Sequence, residues 1–114
     1  MLRKRVEELL SEVRKVVGVK DDSIHVVLYP MKHKIASVSF GSKTIRLNKY
    51  VVQELDDEAL KYILVHELVH YKTRSIQHNR KFWKELGKLY SKEEVIKIES
   101  RIINSIYVKF KHPL

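Results

Sequence analysis

Residues 63–70 read ILVHELVH, an apolar stretch broken only by His66, Glu67 and His70. Upstream, Leu60, Ile63, Leu64 and Leu68 recur at helical spacing, and Asp56 or Asp57 can cap the first amides of such a helix, predicted to run to about residue 71. A helix this apolar must be packed on most sides, and polar groups left within it are costly unless they find partners. Two histidines four residues apart lie one above the other on the same helix face, the geometry that lets both imidazoles bind one zinc ion, and coordination removes that cost. Glu67, next to the first histidine, is placed to touch a water molecule rather than the metal. Zinc lowers the pKa of a bound water to about 7, and the carboxylate can accept its proton, so the pattern carries hydrolytic chemistry.

A catalytic zinc site uses three protein ligands and keeps one position open. The chain has no cysteine, so the third ligand must be His, Asp or Glu. Candidates are His78, Glu85, Glu93 and Glu94, with His25, His33 and His112 further afield. Seven residues separate His70 from His78, enough for the chain to turn back under the metal. Glu85 lies two turns further on and would face similarly from within the next helix, so local physics leaves His78 and Glu85 both open. Tyr62, Tyr71, Tyr90 and Arg74 are candidate donors to a transition state, each with packing or surface placement as the competing role.

Around this segment the period of the pattern changes in a way that suggests an α+β domain. Leu2, Val6, Leu9, Leu10, Val13 and Val17 predict an amphipathic helix over 2–17, ended by Gly18. Three β-like runs follow, at 24–29, 35–40 and 44–47, and their spacing suggests a small three-stranded antiparallel meander with a turn at 41–43. Beyond the HELVH helix, Phe82, Trp83, Leu86 and Leu89 predict a helix over 79–90. Ser91 and Glu94 form a capping-box signature before a last helix over 92–106. Residues 107–114 alternate Val108, Phe110 and His112 with polar neighbours and include Pro113, so an extended C-terminal tail is expected. At 114 residues the chain is expected to form one domain, with 107–114 as its tail.

No apolar run approaches the roughly 18 residues of a membrane span, and with cysteine absent a soluble, cytoplasmic protein is expected. The formal net charge is +9, from 23 Lys and Arg against 14 Asp and Glu. The basic residues are scattered, with no basic helix face interleaved with aromatics, which makes a nucleic-acid partner unlikely.

The order IRLN (45–48), HELVH (66–70), HNRKFW (78–83) resembles the minigluzincins, the smallest soluble gluzincin-type zinc metallopeptidases. It also resembles the YgjP-like and, more loosely, the SprT-like predicted metal-dependent hydrolases. The resemblance implies a zincin-like fold and a Zn2+ ion held by His66, His70 and His78, with Glu67 as general base and acid toward a peptide or protein substrate. Larger gluzincins use a glutamate as third ligand, whereas the minigluzincins use histidine, which favours His78. The meander ending at Leu47 would then be an upper sheet whose edge strand binds an extended peptide by strand addition. Family members of this size are described as latent, the C-terminal segment covering the cleft. That implies a zymogen in which His112 could approach the open metal position, or a homodimer exchanging helix 92–106. The competing function is a basic nucleic-acid-associated module with a structural zinc. A structural site normally has four protein ligands, and three obvious ones are offered here.

Overall fold

The computed structural model describes the backbone of residues 1–110 and side chains through residue 106. Its elements in chain order are α1 (Leu2–Val17), β1 (His25–Tyr29), β2 (Ala36–Ser39), β3 (Thr44–Asn48), α2 (Lys49–Val52), α3 (Asp57–Thr73), α4 (Arg80–Leu86) and α5 (Lys92–Phe110). The centre of the molecule is α3. Ala59, Leu60, Ile63, Leu64, Val65, Leu68 and Val69 are all buried, and α1, β2, α4 and α5 pack around it. A helix that is apolar on nearly every side is stable only in such an enclosed position.

Helix α1 buries Val6, Leu9, Leu10, Val13 and Val17 against α3 and stops at Gly18, whose left-handed backbone (φ 85°) lets the following Val19 N–H turn back to the Arg14 carbonyl at 3.0 Å. Asp56 caps α3 by accepting from the Ala59 amide at 2.9 Å, and Asp57 and Glu58 in the first turn complement the helix dipole. Helix α5 begins with the expected capping box. Ser91 Oγ accepts from the Glu94 amide at 3.1 Å, and the Glu94 carboxylate accepts from the Ser91 amide at 2.8 Å. Val95, Ile98 and Ile102 then bury one stripe of α5. Arg101 ties that helix to the start of α3 through Asp56 and Glu58.

The sheet corrects the expected meander. Its order is β1-β3-β2, with β1 parallel to β3 and β2 antiparallel to it. Strand β3, with Thr44, Ile45, Leu47 and Asn48 buried, takes the centre because it has the most side-chain surface to shield. The chain leaves β1 at Tyr29, beside Asn48, and re-enters the sheet at Ala36, beside Leu47, so residues 30–35 cross the end of β3. Asn48 pins that crossover. Its side-chain amide donates to the Met31 carbonyl at 2.9 Å and the Lys34 carbonyl at 3.0 Å. Its oxygen meanwhile accepts from the Tyr50 amide at 3.1 Å and caps α2, a short helix with no sequence expectation.

Two further expectations change. Residues 107–110 are the last turn of α5, not the start of an extended tail, because the helical apolar series runs past Ile102 and no breaker precedes Pro113. Helix α4 ends at Leu86, four residues early, and Gly87 to Leu89 close as turns. Residues 111–114, including His112, lie outside the described residues. No helix among the described residues is long and apolar enough to cross a membrane.

Candidate metal centre and active-site cleft

Three imidazoles converge where α3 meets the start of α4. His66, His70 and His78 each offer a nitrogen, all within 4.8 Å of one another, and among the described residues this is the only such group of His, Asp and Glu side chains. His66 and His70 project from one face of α3, ring centroids 4.9 Å apart. His78 arrives by a tight reversal. Arg74 takes a left-handed conformation (φ 55°) at the end of α3, and the Ser75 amide returns to the His70 carbonyl. The Ser75 carbonyl then lies 2.8 Å from His70 Nδ1. That contact makes Nδ1 the protonated nitrogen and leaves Nε2 with its lone pair free.

Asn79 and Phe82 of HNRKF hold this corner together. Asn79 caps α4 by accepting from the Phe82 amide at 3.0 Å, which sets the angle at which His78 enters. Phe82 is fully buried and forms the floor under the cluster, stacked on His70 at 4.5 Å and edge-on to His66 and His78 at 5.0 and 4.9 Å. His66 Nε2 and His78 Nε2 are 3.1 Å apart. The two nitrogens thus point at one another across the space the three rings enclose.

Burial, followed by the neighbouring His70 and His78, holds the His66 imidazolium down to about 3, and burial lowers His70 as well. Both are therefore neutral at physiological pH, the form a metal requires. Glu67 is buried beside them, and desolvation pushes its carboxyl up to about 7 against the opposing pull of the Lys34 ammonium. A carboxyl poised there can exchange a proton near neutrality.

The cluster opens on a cleft of about 610 Å3 that Glu67 also lines. One wall is Ile35 at the end of the crossover with Ala36 and Val38 of β2, and the other is α5, with Glu99, Ile102 and Ile103. Among the described residues strand β2 pairs with β3 alone and so presents a free edge.

Of the other candidate ligands, Glu85 is turned away from the cluster and paired with Lys72 at 2.9 Å and Lys88 at 3.0 Å, which hold its carboxyl below the usual range. Glu94 is used in the α5 cap, and His25 lies against Thr44 and the Ser23 carbonyl on β1. Glu93 is exposed and outside the metal-ligating group. His33 lines the cleft mouth without joining the cluster. Tyr62 lines the cleft, Tyr90 packs edge-on against it, and Tyr71 and Arg74 face elsewhere, Tyr71 donating to Asp21 with the Arg74 guanidinium over its ring. Lys34 and Glu99 are cleft residues that sequence reasoning did not single out. Neither sits in a motif, and only the crossover and the packing of α5 bring them to the site.

Residues 1–99 match the family model described as YgjP-like, metallopeptidase domain. The chain belongs to that family. The expected minigluzincin kinship is borne out with it. This YgjP-like metallopeptidase is similar to the metallopeptidase zymogen jannalysin of Methanocaldococcus jannaschii, with a TM-score of 0.84 and 44% identity over 91% of this chain and 92% of that one. It is also similar to the metallopeptidase zymogen abylysin of Pyrococcus abyssi, with a TM-score of 0.80 and 35% identity over 96% and 98% of the two chains. A Methanocaldococcus jannaschii protein of uncharacterised function is 44% identical over 104 residues, 91% of this chain and 94% of that one.

Proposed function

We propose that this metallopeptidase holds a zinc ion on His66, His70 and His78 and hydrolyses extended polypeptides with Glu67 as proton carrier. The observation that carries this reading is the convergence of three imidazole nitrogens beside a buried carboxyl on an open cleft. The three nitrogens, within 4.8 Å of one another and with His66 Nε2 and His78 Nε2 3.1 Å apart, would suit an ion such as zinc that takes three protein ligands and keeps one position open. Zinc bound there supplies Lewis acidity toward a water molecule and the scissile carbonyl. Glu67 takes a proton from the attacking water and delivers it to the leaving amine nitrogen, general base first and general acid second. The edge of β2 offers backbone N–H and C=O groups to a substrate strand, which sets the peptide across the cleft. Ser75, through its carbonyl, holds the His70 ring in the tautomer that exposes Nε2.

The reading extends to latency, which rests on the zymogen relatives. In this chain the cover is the C-terminal segment 107–114 or an α5 exchanged with a second copy, the latter giving a homodimer. A nucleic-acid module with a structural zinc fits less well, because among the described residues three ligands converge on an open cleft and no fourth closes it.

The test is prolonged digestion of an unstructured polypeptide by zinc-loaded protein, alongside Glu67→Gln. The wild type should cleave slowly, and the variant should keep one zinc per chain while losing cleavage. Joint loss of zinc and activity in Glu67→Gln would overturn its role, and a zinc-loaded protein that never cleaves, either whole or after removal of residues 107–114, would overturn the peptidase reading.

A further inference from the structure

The α5 wall of the cleft carries a carboxylate that nothing so far uses. Glu99 is half-buried, and one of its oxygens, Oε2, accepts a short hydrogen bond from the Tyr62 hydroxyl. No cation among the described residues pairs with it, and its other oxygen accepts from no described group. That second oxygen is not an orphaned buried atom either, since the described side chains leave none, so it is open to solvent on a residue that lines the cleft. In a chain with a net charge of +9, a carboxylate in the substrate cleft without a partner cation stands out.

Its surroundings define what it can hold. Glu99, Ile102 and Ile103 stand at i, i+3 and i+4 on α5 and all line the cleft, so an apolar strip about one helical turn long, roughly 5.4 Å, leads to the carboxylate. Ile102 is buried and Ile103 is exposed at the rim. A side chain entering along this strip meets hydrocarbon first and negative charge at its end. Lysine and arginine have that profile, an aliphatic stem of three or four carbons with a cationic head. The location is close to the chemistry. Tyr62, which fixes the carboxylate, is one turn before His66 on α3, ring centroids 5.9 Å apart.

We infer that Glu99 is a specificity-determining residue that selects a lysine or arginine side chain flanking the scissile bond, with Tyr62 as the positioning residue that orients its carboxylate. The inference deepens the peptidase reading and rests on it. A charge-assisted contact in a cleft still open to water should favour a cation by about tenfold over the same stem without charge.

The experiment uses full-length, zinc-loaded protein and peptide pairs that differ only in lysine or norleucine at each position flanking the cleaved bond. At one position the wild type should show kcat/KM about tenfold higher for lysine, and that ratio should shrink as ionic strength rises. Glu99→Gln, whose amide oxygen can still accept from Tyr62, should bring the lysine-to-norleucine ratio near one with zinc content intact. Glu99→Lys should invert the preference, favouring glutamate over norleucine. Cleavage by the wild type with no lysine preference at any flanking position, or a preference unchanged in Glu99→Gln with zinc content intact, overturns the inference and leaves the peptidase reading standing. Cleavage of neither peptide overturns both.

Discussion

Asn48 joins the sheet to the cleft, and its replacement has a consequence that can be worked out from the contacts. The residue is 5% exposed, and its side chain makes three hydrogen bonds, two given to the crossover and one accepted at the start of α2. Loss of the α2 cap costs about 1 kcal/mol. Each donated bond contributes about 0.5–1.5 kcal/mol, at the lower end where the bereft carbonyl can rehydrate. Lys34 is exposed, so its carbonyl can, and the sum for Asn48→Ala is about 2–4 kcal/mol. For a chain of this length that is a drop in Tm of about 8–16 °C. Asn48→Asp separates the contributions, because a carboxylate keeps the cap acceptor but turns oxygen toward the Met31 and Lys34 carbonyls. If the crossover pin dominates, Asp should be at least as damaging as Ala. Since residues 30–35 carry His33 and Lys34 to the cleft mouth, both variants should also lower kcat/KM at temperatures where they remain folded. Denaturant unfolding monitored at Trp83, paired with peptide cleavage, reads both effects. A change below about 0.5 kcal/mol for Asn48→Ala, the level of an ordinary surface substitution, or a wild-type Asn48→Asp, would refute the pin.

His78→Ala should abolish stoichiometric zinc binding while Glu85→Ala, which breaks only the Lys72 and Lys88 pairs, should retain it; equal losses in a metal analysis would reopen the glutamate ligand. The metal-free protein should lose stability as pH falls from about 6.5 toward 3, because the unfolded chain protonates His66 and His70 while the folded chain resists. Glu67 runs the other way, its raised folded pKa giving a contribution that is complete below about 4.5 and lost as pH rises through about 7. Between pH 4.5 and 6.5 the His66 and Glu67 contributions offset one another and His70 adds to the loss, so thermal unfolding that improves on acidification in that window would contradict the burial of the histidines. Removing residues 107–114 should raise turnover if the tail is the cover. Unchanged turnover together with a monomeric full-length protein in sedimentation would remove both forms of the latency proposal.

The parts of this protein that a reader of the sequence can see are those settled within one helix or one turn. His66 and His70 share a face of α3, with Glu67 adjacent to the first, because helical geometry alone relates residues so closely spaced, and the Asp56 and Ser91–Glu94 caps are equally local. Distances across the fold were not available in that way. His78 and Glu85 were equivalent partners along the chain, and only the reversal at Arg74 and Ser75, with Lys72 and Lys88 drawing Glu85 aside, brings one to the cluster and not the other. Strand order depends on which strand most needs shielding on both edges, a comparison among non-local neighbours, so alternation identified β1, β2 and β3 but not that β3 is central. The extent of α5 turned on whether Val108 and Phe110 mark alternation or one more helical turn, and four residues cannot distinguish period 2 from period 3.6. Glu99 carries no local signal at all. Its place opposite β2 follows from the packing of α5 on α3, where the apolar stripe of Val95, Ile98 and Ile102 decides which flank of the helix faces the cleft.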